Sequence, residues 1–569
     1  MPIATFFVDT GPGAYANPDE TISDQLFGAR YISYNNVGRF LDQVQDANLG
    51  LIVWPGGTLA ETRDDRYGFE FDGLQNPDNN KPALDDMMQI AIDQDTSLSV
   101  ILPTARYAND PGALQADLDP FLVTLLAGGY GPLPDQLIFE IGSEYYANFD
   151  GSDAAAQYGA VADVMITSIA LALTDPTINL IGADITIAVQ AGKTLTDDIA
   201  IRDALSDFST AAVDTLIHHR FAYQPEGIDG RIGELETILD AWETETGTAP
   251  DLFVSAWNTV TLTREGVLGD YIQYKAAQGV SLDRSDVDLD GRTNAEFEMF
   301  WQASLDQVAY GQEHAAYLLE SFSSYVEAGA DAAALYGVDL IHPGRVSWQE
   351  DGTAYDFVGA EMLEMIYESV GGTQILASDG PYDPNAPATT YGFESDDKLV
   401  IFVAAGDTAP GEIALALDGL GDTYTHVWAE RLTGETPEDW MAIFGITDNP
   451  DVDESPEAET FAIGNREAFV PQVYDGALSL SLESAHEVVR LSFAKTEAGI
   501  AEIAGWAEGP ATDLSAMIGD VLPLPLCDLL DDCPVDEEID VSQSEFAMVA
   551  DATSSGGALG LLLALLLFI

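Results

Sequence analysis

The carboxyl group best placed for chemistry lies in the run Gln136-Leu-Ile-Phe-Glu140-Ile-Gly142-Ser143-Glu144-Tyr145-Tyr146. Read as a strand, it puts Glu140, Gly142 and Glu144 on one face, because strand side chains alternate. Glu144 stands at the end, walled by Tyr145 and Tyr146, which predicts a general acid with a raised pKa. Glu140, four residues back, falls roughly 13 Å down the strand and reads as an interior residue paired with Arg106. A second constellation is Asp286-Val-Asp288-Leu-Asp290-Gly291-Arg-Thr-Asn294. It matches the first half of an EF-hand-type loop, with Gly at the turn and Asn294 at the ninth position. Phe297 stands where a bidentate Glu is expected, flanked by Glu296 and Glu298. Asp286, Asp288, Asp290 and Asn294 are therefore the candidate ligands of a structural calcium. The plainer reading is an acidic turn in an acidic chain. His218 and His219 are adjacent, and on a strand they face opposite sides, so they form no chelate.

Those residues need a scaffold, and the chain patterns one. From Leu49 to about Gly372, short apolar runs alternate with amphipathic stretches. With Leu26–Tyr34 as the first strand, the others read as Leu49–Gly57, Leu98–Tyr107, Gln136–Tyr146, Ile178–Gln190, Asp214–Tyr223, Leu252–Asn258 and Ala332–Val338. Eight strand–helix units predict a (β/α)8 TIM barrel over 21–372, with its reactive groups where strands end. Trp54, Tyr107, Tyr145, Tyr146, Tyr223, Trp257 and Tyr336 fall at or near such ends. Core packing explains any one of them, whereas together around one mouth they would form a sugar-stacking platform. From about Thr373 the pattern becomes short strands between Gly, Pro and Asp turns, which predicts an antiparallel β-sandwich over 373–495. Residues 496–551 read as an acidic linker or tail, with Asn449–Glu459 as an acidic loop.

The chain has 569 residues, with 97 acidic and 20 basic side chains and a formal charge of −77. Such a surface repels phosphate backbones, so nucleic acid is excluded as a partner, and anionic membranes are disfavoured. Only five residues are Lys, and the acid is spread throughout, a composition suited to marine or halophilic life. Cys527 and Cys533, the only cysteines, sit six apart in the acidic tail and could close a disulfide loop in an oxidising compartment. Residues 1–9 lack the basic and apolar regions of a secretory signal peptide, so export is expected by another route or from a start further upstream. After Asp551 no charge remains, and the apolar run from Ala558 spans 12 residues, about 18 Å as a helix and too short for the bilayer core. It resembles a Gly-Gly-type bacterial sorting tail without its basic cluster, or a C-terminal export signal. Either reading of 552–569 places the body at the surface of a bacterium or outside it.

The motifs also resemble a family. Ile141-Gly142-Ser143-Glu144 resembles the strand-four Gly-Asn-Glu of clan A glycoside hydrolases, whose Glu is the acid/base. Thr21-Ile-Ser-Asp-Gln-Leu-Phe27-Gly28 and Trp54-Pro55-Gly56-Gly57-Thr58 resemble the opening of the arabinofuranosidase, xylosidase and heparanase-like members. Val254-Ser255-Ala256-Trp257-Asn258 resembles the strand-seven Thr/Ser-Glu-Trp-Asn motif, and His219 with Phe221 and Tyr223 resembles the strand-six His-Tyr-Tyr region. The resemblance covers roughly residues 1–495 and implies a carbohydrate substrate, with His219, Trp257 and Asn258 lining its site. It also implies that the N-terminal strand, within 1–20, joins the sandwich.

Three departures qualify it. The nucleophile position falls on Ala256, the supporting Arg of strand two on Val53, and the Asn before the acid/base on Ser143. A methyl group cannot attack an anomeric carbon. The chain is then a carbohydrate-binding pseudo-hydrolase, or another carboxyl such as Glu61, Glu265 or Asp339 completes the site, or the strand-seven alignment is displaced.

Overall fold

The computed structural model describes residues 4–514 apart from 9, 11–13, 18–20, 32–36, 47, 57, 62–68, 70–81, 261, 290–292, 339–346, 351–352, 378–379, 418–419, 421, 439–461 and 475–476. Asp290, Asp339, the 449–459 loop, the two cysteines and the apolar C-terminal run lie outside the described residues.

After an N-terminal strand β1 (Ala4–Val8), eight strands close into a parallel barrel. They are β2 (Gly28–Arg30), β3 (Leu51–Trp54), β4 (Ser97–Leu102), β5 (Leu137–Ile141), β6 (Ile185–Gln190), β7 (Thr215–Ala222), β8 (Asp251–Thr259) and β9 (Ala330–Tyr336). Runs such as Leu51-Ile-Val-Trp54 are apolar throughout, because helices cover the outer face while side chains fill the inside. Strands β2 to β7 are shorter than the sequence pattern predicts, β9 is of equal length, and β8 is longer. The run from Ile178 becomes a strand only at Ile185, because Asn179 holds a turn: its amide donates to the carbonyls of Leu173 and Ala183 at 3.0 and 2.8 Å. After β6 come two short helices, Leu195–Ala204 and Asp207–Thr210, with Ser206 capping the second.

One irregularity bears on the site. Between β7 and β8 the parallel register runs His218 opposite Val254, then His219 opposite Ala256. Ser255 is the extra residue of a bulge, a device that re-aims side chains beside active sites.

The rest of the sheet structure begins with a hairpin of β10 (Ser347–Glu350) and β11 (Thr353–Asp356). The sandwich strands are β12 (Gln374–Ile375), β13 (Ala388–Glu394), β14 (Lys398–Ala405), β15 (Gly411–Leu417), β16 (His426–Glu435), β17 (Ile463–Phe469), β18 (Gln472–Tyr474), β19 (Ala477–Leu482) and β20 (Val488–Ala494). One sheet has the order β1-β15-β19-β18, with β1 parallel to β15. The other has the order β12-β13-β14-β20-β16-β17 and gains β21 (Thr512–Asp513) on β16. Leu399, Ile401, Leu415, Leu480 and Leu491 fill the space between them. Residues 497–513, assigned by sequence to the tail, are folded. Thr496 caps a helix, Glu497–Trp506, whose Ile503 is buried against Trp428. The acid-rich composition hid a helix that needs only Ile500, Ile503 and Trp506 to dock.

Candidate active site

Arg30 ends β2, with its guanidinium inside the barrel. Its Nη2 donates to Glu140 Oε1 at 2.9 Å and to Ser255 Oγ at 3.0 Å. Ser255 in turn donates to Glu140 Oε2 at 2.6 Å, and Gln190 Nε2 reaches Glu140 Oε1 at 3.4 Å. A fully buried carboxylate is tolerable only when paired and hydrogen-bonded in this way. The pairing of Glu140 with Arg106, expected from sequence, is thus corrected. Arg106 instead lies over the rings of Phe69 and Tyr107. Arg30 also stands in register with Val53 of β3.

Glu144 lies beyond the end of β5 in a left-handed conformation, φ 46°, two residues after Gly142 at φ 71°. Those two reversals bend the chain back over the barrel mouth, so the extended spacing of roughly 13 Å between Glu140 and Glu144 does not apply. One imidazole bridges them: His219 Nε2 is 3.5 Å from Glu140 Oε1, and Nδ1 is 3.5 Å from Glu144 Oε1. Tyr146 donates to Glu144 Oε1 at 3.0 Å. Both ring nitrogens thus face a carboxylate at ion-pair distance, neither in hydrogen-bond geometry. Burial opposes a charge on the ring, and the two glutamates outweigh it, so the His219 pKa is raised.

The raised pKa expected of Glu144 is corrected as well. Burial pushes it up, but His219, Arg30 and the Tyr146 hydroxyl together hold it down to about 2. Glu140 is lowered too: Arg30, His219 and Ser255 overcome its burial. The mouth therefore sets Arg30 and His219 against Glu140 and Glu144. Glu144, with a quarter of its side chain exposed, is the member a substrate can reach.

Glu61 is no reactant. Its buried carboxylate accepts from Thr104 N and Oγ1 at 2.7 Å each, Ala105 N at 2.8 Å and Ser143 N at 3.0 Å. It ties the chain after β4 to the Gly142–Glu144 turn. Glu265 is half exposed and paired with Arg284. Neither completes the site.

Of the aromatic platform, only Tyr146 and Tyr223 present substantial surface, and Tyr336 is half-buried, edge-on to Phe221. Trp54, Tyr107, Tyr145 and Trp257 are buried, so the sugar-stacking role expected of them is corrected to packing and anchoring. Tyr107 donates to Asp117, and the Tyr145 hydroxyl accepts from Lys193 N at 2.6 Å. Asn258 is likewise buried, donating to Tyr336 O at 2.6 Å with its Oδ1 2.8 Å from His314 Nε2. Strand-end position alone does not separate a rim residue from one folded under the rim. Arg30 was missed in the sequence, although a lone cation in an apolar strand signals a buried acidic partner.

In the 286–294 loop, Asp286 accepts from Asp283 N at 2.8 Å, and Asn294 donates to Asp288 O at 3.2 Å. Among the described residues, no group of three or more His, Cys, Asp or Glu is arranged to hold a metal.

Neither a protein-family model nor a curated protein sequence matches the chain. Solved structures do. The family 51 α-L-arabinofuranosidase AbfB from Bifidobacterium longum aligns with a TM-score of 0.56 at 12% identity, over 87% of this chain and 100% of that one. That from Thermotoga petrophila aligns at 0.55 and 11%, over 86% and 99%. The Xanthomonas axonopodis pv. citri enzyme aligns at 0.51 and 13%, over 83% and 97%. The chain thus shares the fold of these arabinofuranosidases, a (β/α)8 barrel joined to a β-sandwich.

Proposed function

We propose that this chain is a glycoside-hydrolase-like protein that acts on a polysaccharide at the C-terminal mouth of its barrel, with Glu144 as the acid/base residue. The observation that carries the reading is the Glu140–His219–Glu144 bridge, with the reachable carboxylate at its outer end. Because Glu144 rests ionised, its first act is to accept a proton, from water or from a sugar hydroxyl. Tyr146 and Tyr223 offer the exposed aromatic faces on which a sugar ring stacks. The acid-rich surface supports an extracellular or cell-surface setting in salty water.

A second reading, a non-catalytic carbohydrate-binding or surface-layer protein, is favoured by Ala256. It sits opposite His219 in the strand register, where the family's nucleophile would stand, and carries only a methyl group. Turnover of a panel of plant and marine glycans, with binding measured in parallel, separates the two. Product formed by the wild type and lost in Glu144→Gln supports the enzyme. Binding without turnover, surviving Glu144→Gln, supports the second reading. Neither binding nor turnover across the panel would remove both.

A further inference from the structure

Glu144 faces His219 because the chain reverses over Gly142–Glu144, and such a reversal does not hold itself. Glu144 keeps φ 46° and ψ 59°, a left-handed conformation that a residue with a Cβ retains where its surroundings impose it. Gly142 N donates to Leu102 O at 2.8 Å, and Gly142 O accepts from Gln190 Nε2 at 3.2 Å. Ser143 N donates to Glu61 Oε1 at 3.0 Å, and Ser143 O accepts from Asn148 Nδ2 at 2.7 Å. Glu144 O accepts from Ala147 N at 2.8 Å and from Asn148 Nδ2 at 3.2 Å.

Leu102 and Gln190 belong to the strands on either side of β5, and Ala147 and Asn148 to the short helix that follows. Glu61 comes from further away. It ends the helix Thr58–Glu61 after β3, 82 residues before Ser143, and is 3% exposed. Its two oxygens have different partners. Oε2 accepts from Thr104 N and Ala105 N at 2.7 and 2.8 Å, which fixes the carboxylate to the chain after β4. Oε1 accepts from Thr104 Oγ1 at 2.7 Å and from Ser143 N. Burial pushes the Glu61 pKa up, and these donors oppose it. Gly142 packs against the same groups: a Cβ there would stand 2.6 Å from Thr104 Oγ1 and 3.0 Å from Glu61 Oε1. Glycine at 142 thus serves both a close approach and a φ of 71°.

We infer that Glu61 and Asn148 are positioning residues of the site, a clamp that grips the turn from its amide and carbonyl sides and holds Glu144 in the conformation that carries its carboxylate to His219. A role for the clamp in catalysis rests on the reading of Glu144 as the acid/base, whereas its hold on Glu144 does not.

The chemistry of the amide makes Glu61→Gln a selective cut. Glutamine keeps the shape but puts an NH2, which only donates, in place of one oxygen. At the Oε2 place that NH2 would face two backbone N–H groups, neither of which can turn away. At the Oε1 place it meets the Thr104 hydroxyl, which can rotate to accept, and Ser143 N–H, which loses its acceptor. The variant therefore keeps its anchor on Thr104 and Ala105 and releases Ser143.

Amide exchange and carboxyl titration by NMR test the clamp. In Glu61→Gln the Ser143 amide should exchange faster by about tenfold or more, with the Thr104 and Ala105 amides unchanged. The Glu144 pKa should climb from about 2 to about 3 or above as its carboxylate leaves His219. A folded variant whose Glu144 titrates as in the wild type overturns the inference, since Glu61 is then packing alone. Should Glu61→Gln fail to fold, Asn148→Ala, at a half-buried position, removes the opposite arm and should raise the Glu144 pKa in the same way. An unmoved Glu144 there overturns the inference too. Titration needs no substrate, so a Glu144 that moves in a protein without turnover keeps the clamp and removes only the acid/base reading.

Discussion

The barrel mouth and the junction between its last helix and the sandwich both bury carboxylates, yet they hold them in opposite states. At the mouth, Arg30 and His219 face Glu140 and Glu144, and both acids are lowered. At the junction, the helix Val358–Val370 presents Glu361, Glu364 and Glu368 to Arg466 of β17 at 3.9, 3.8 and 2.6 Å. Glu430 of β16 lies 3.6 Å from the same arginine and also binds Arg490 of β20, which reaches Glu368 at 2.6 Å. Two arginines thus serve four glutamates. Burial raises Glu361 to about 7 and Glu364 to about 8, Arg466 opposing and the surrounding acids adding to the rise. Glu140 is the more deeply buried group and still moves down. The balance of nearby charge, rather than depth, decides which way a buried acid shifts.

The largest way to break this contrast is to remove a cation from the balanced cluster. Arg30→Met leaves Glu140 buried without its guanidinium and should destabilise the fold by about 3–5 kcal/mol in chemical denaturation. A loss below about 1 kcal/mol would show that His219 and Ser255 suffice.

Adding an acid to the same cluster comes next. Ala256→Glu would set a third carboxylate opposite His219 in the register. The new charge competes for His219 and repels Glu144, so the Glu144 pKa should climb from about 2 toward the ordinary carboxylate range. Carboxyl titration by NMR reads this directly. Because Arg30 already stands in register with Val53, the companion change Val53→Arg should add little support and cost core packing. An unmoved Glu144 would place the residue 256 side chain away from the mouth.

The acids of the two clusters also predict opposite responses to pH, while His219 responds in the same direction as the junction acids. Glu144, lowered in the fold, contributes stability present above about pH 4.3 and lost as pH falls through its folded value. His219, raised, contributes stability present below about pH 6.5 and lost as pH rises through its folded value. Glu361 and Glu364, raised acids, stabilise fully below about pH 4.3 and lose that contribution as pH rises through about 7 and 8. Glu364→Gln should therefore flatten the fall in melting temperature between about pH 5 and 9. A variant curve parallel to that of the wild type would mean that Glu364 titrates normally.

Much of this scaffold was legible because its signals are local. Apolar runs such as Leu51–Trp54 and Leu137–Ile141, broken by Gly and Pro, marked the barrel strands, and the order of the short motifs marked Glu144 and His219. What stayed hidden depends on contacts across the chain. A lone cation in β2 signals a buried acid, but nothing near Arg30 says that the acid lies 110 residues away, and the left-handed turn that brings Glu144 over His219 is set by φ angles at Gly142 and Glu144. Trp54 and Trp257 read as rim residues because strand ends are easy to find, whereas helix packing over them is not. Glu61 looked like a spare acid until four donors, drawn from Thr104, Ala105 and Ser143, were found converging on it.

The smallest expected effect belongs to calcium at the 286–294 loop, a third acidic group with no cation among its candidate ligands. Three aspartates close together in sequence repel one another, and an ion would relieve that repulsion. Two of the candidate ligands already have local work. Asp286 closes a capping box with Asp283, and Asn294 donates to the carbonyl of Asp288. Calcium must displace those bonds, so the gain in melting temperature should be small, about 1–2 °C at saturation. Any divalent ion also screens the chain's acid excess, so magnesium at the same concentration is the baseline. The gain over magnesium should vanish when Asp288→Ala and Asp290→Ala are combined. If the double variant gains as much as the wild type, the loop is an acidic turn, and the charge balance described for the mouth has no counterpart there.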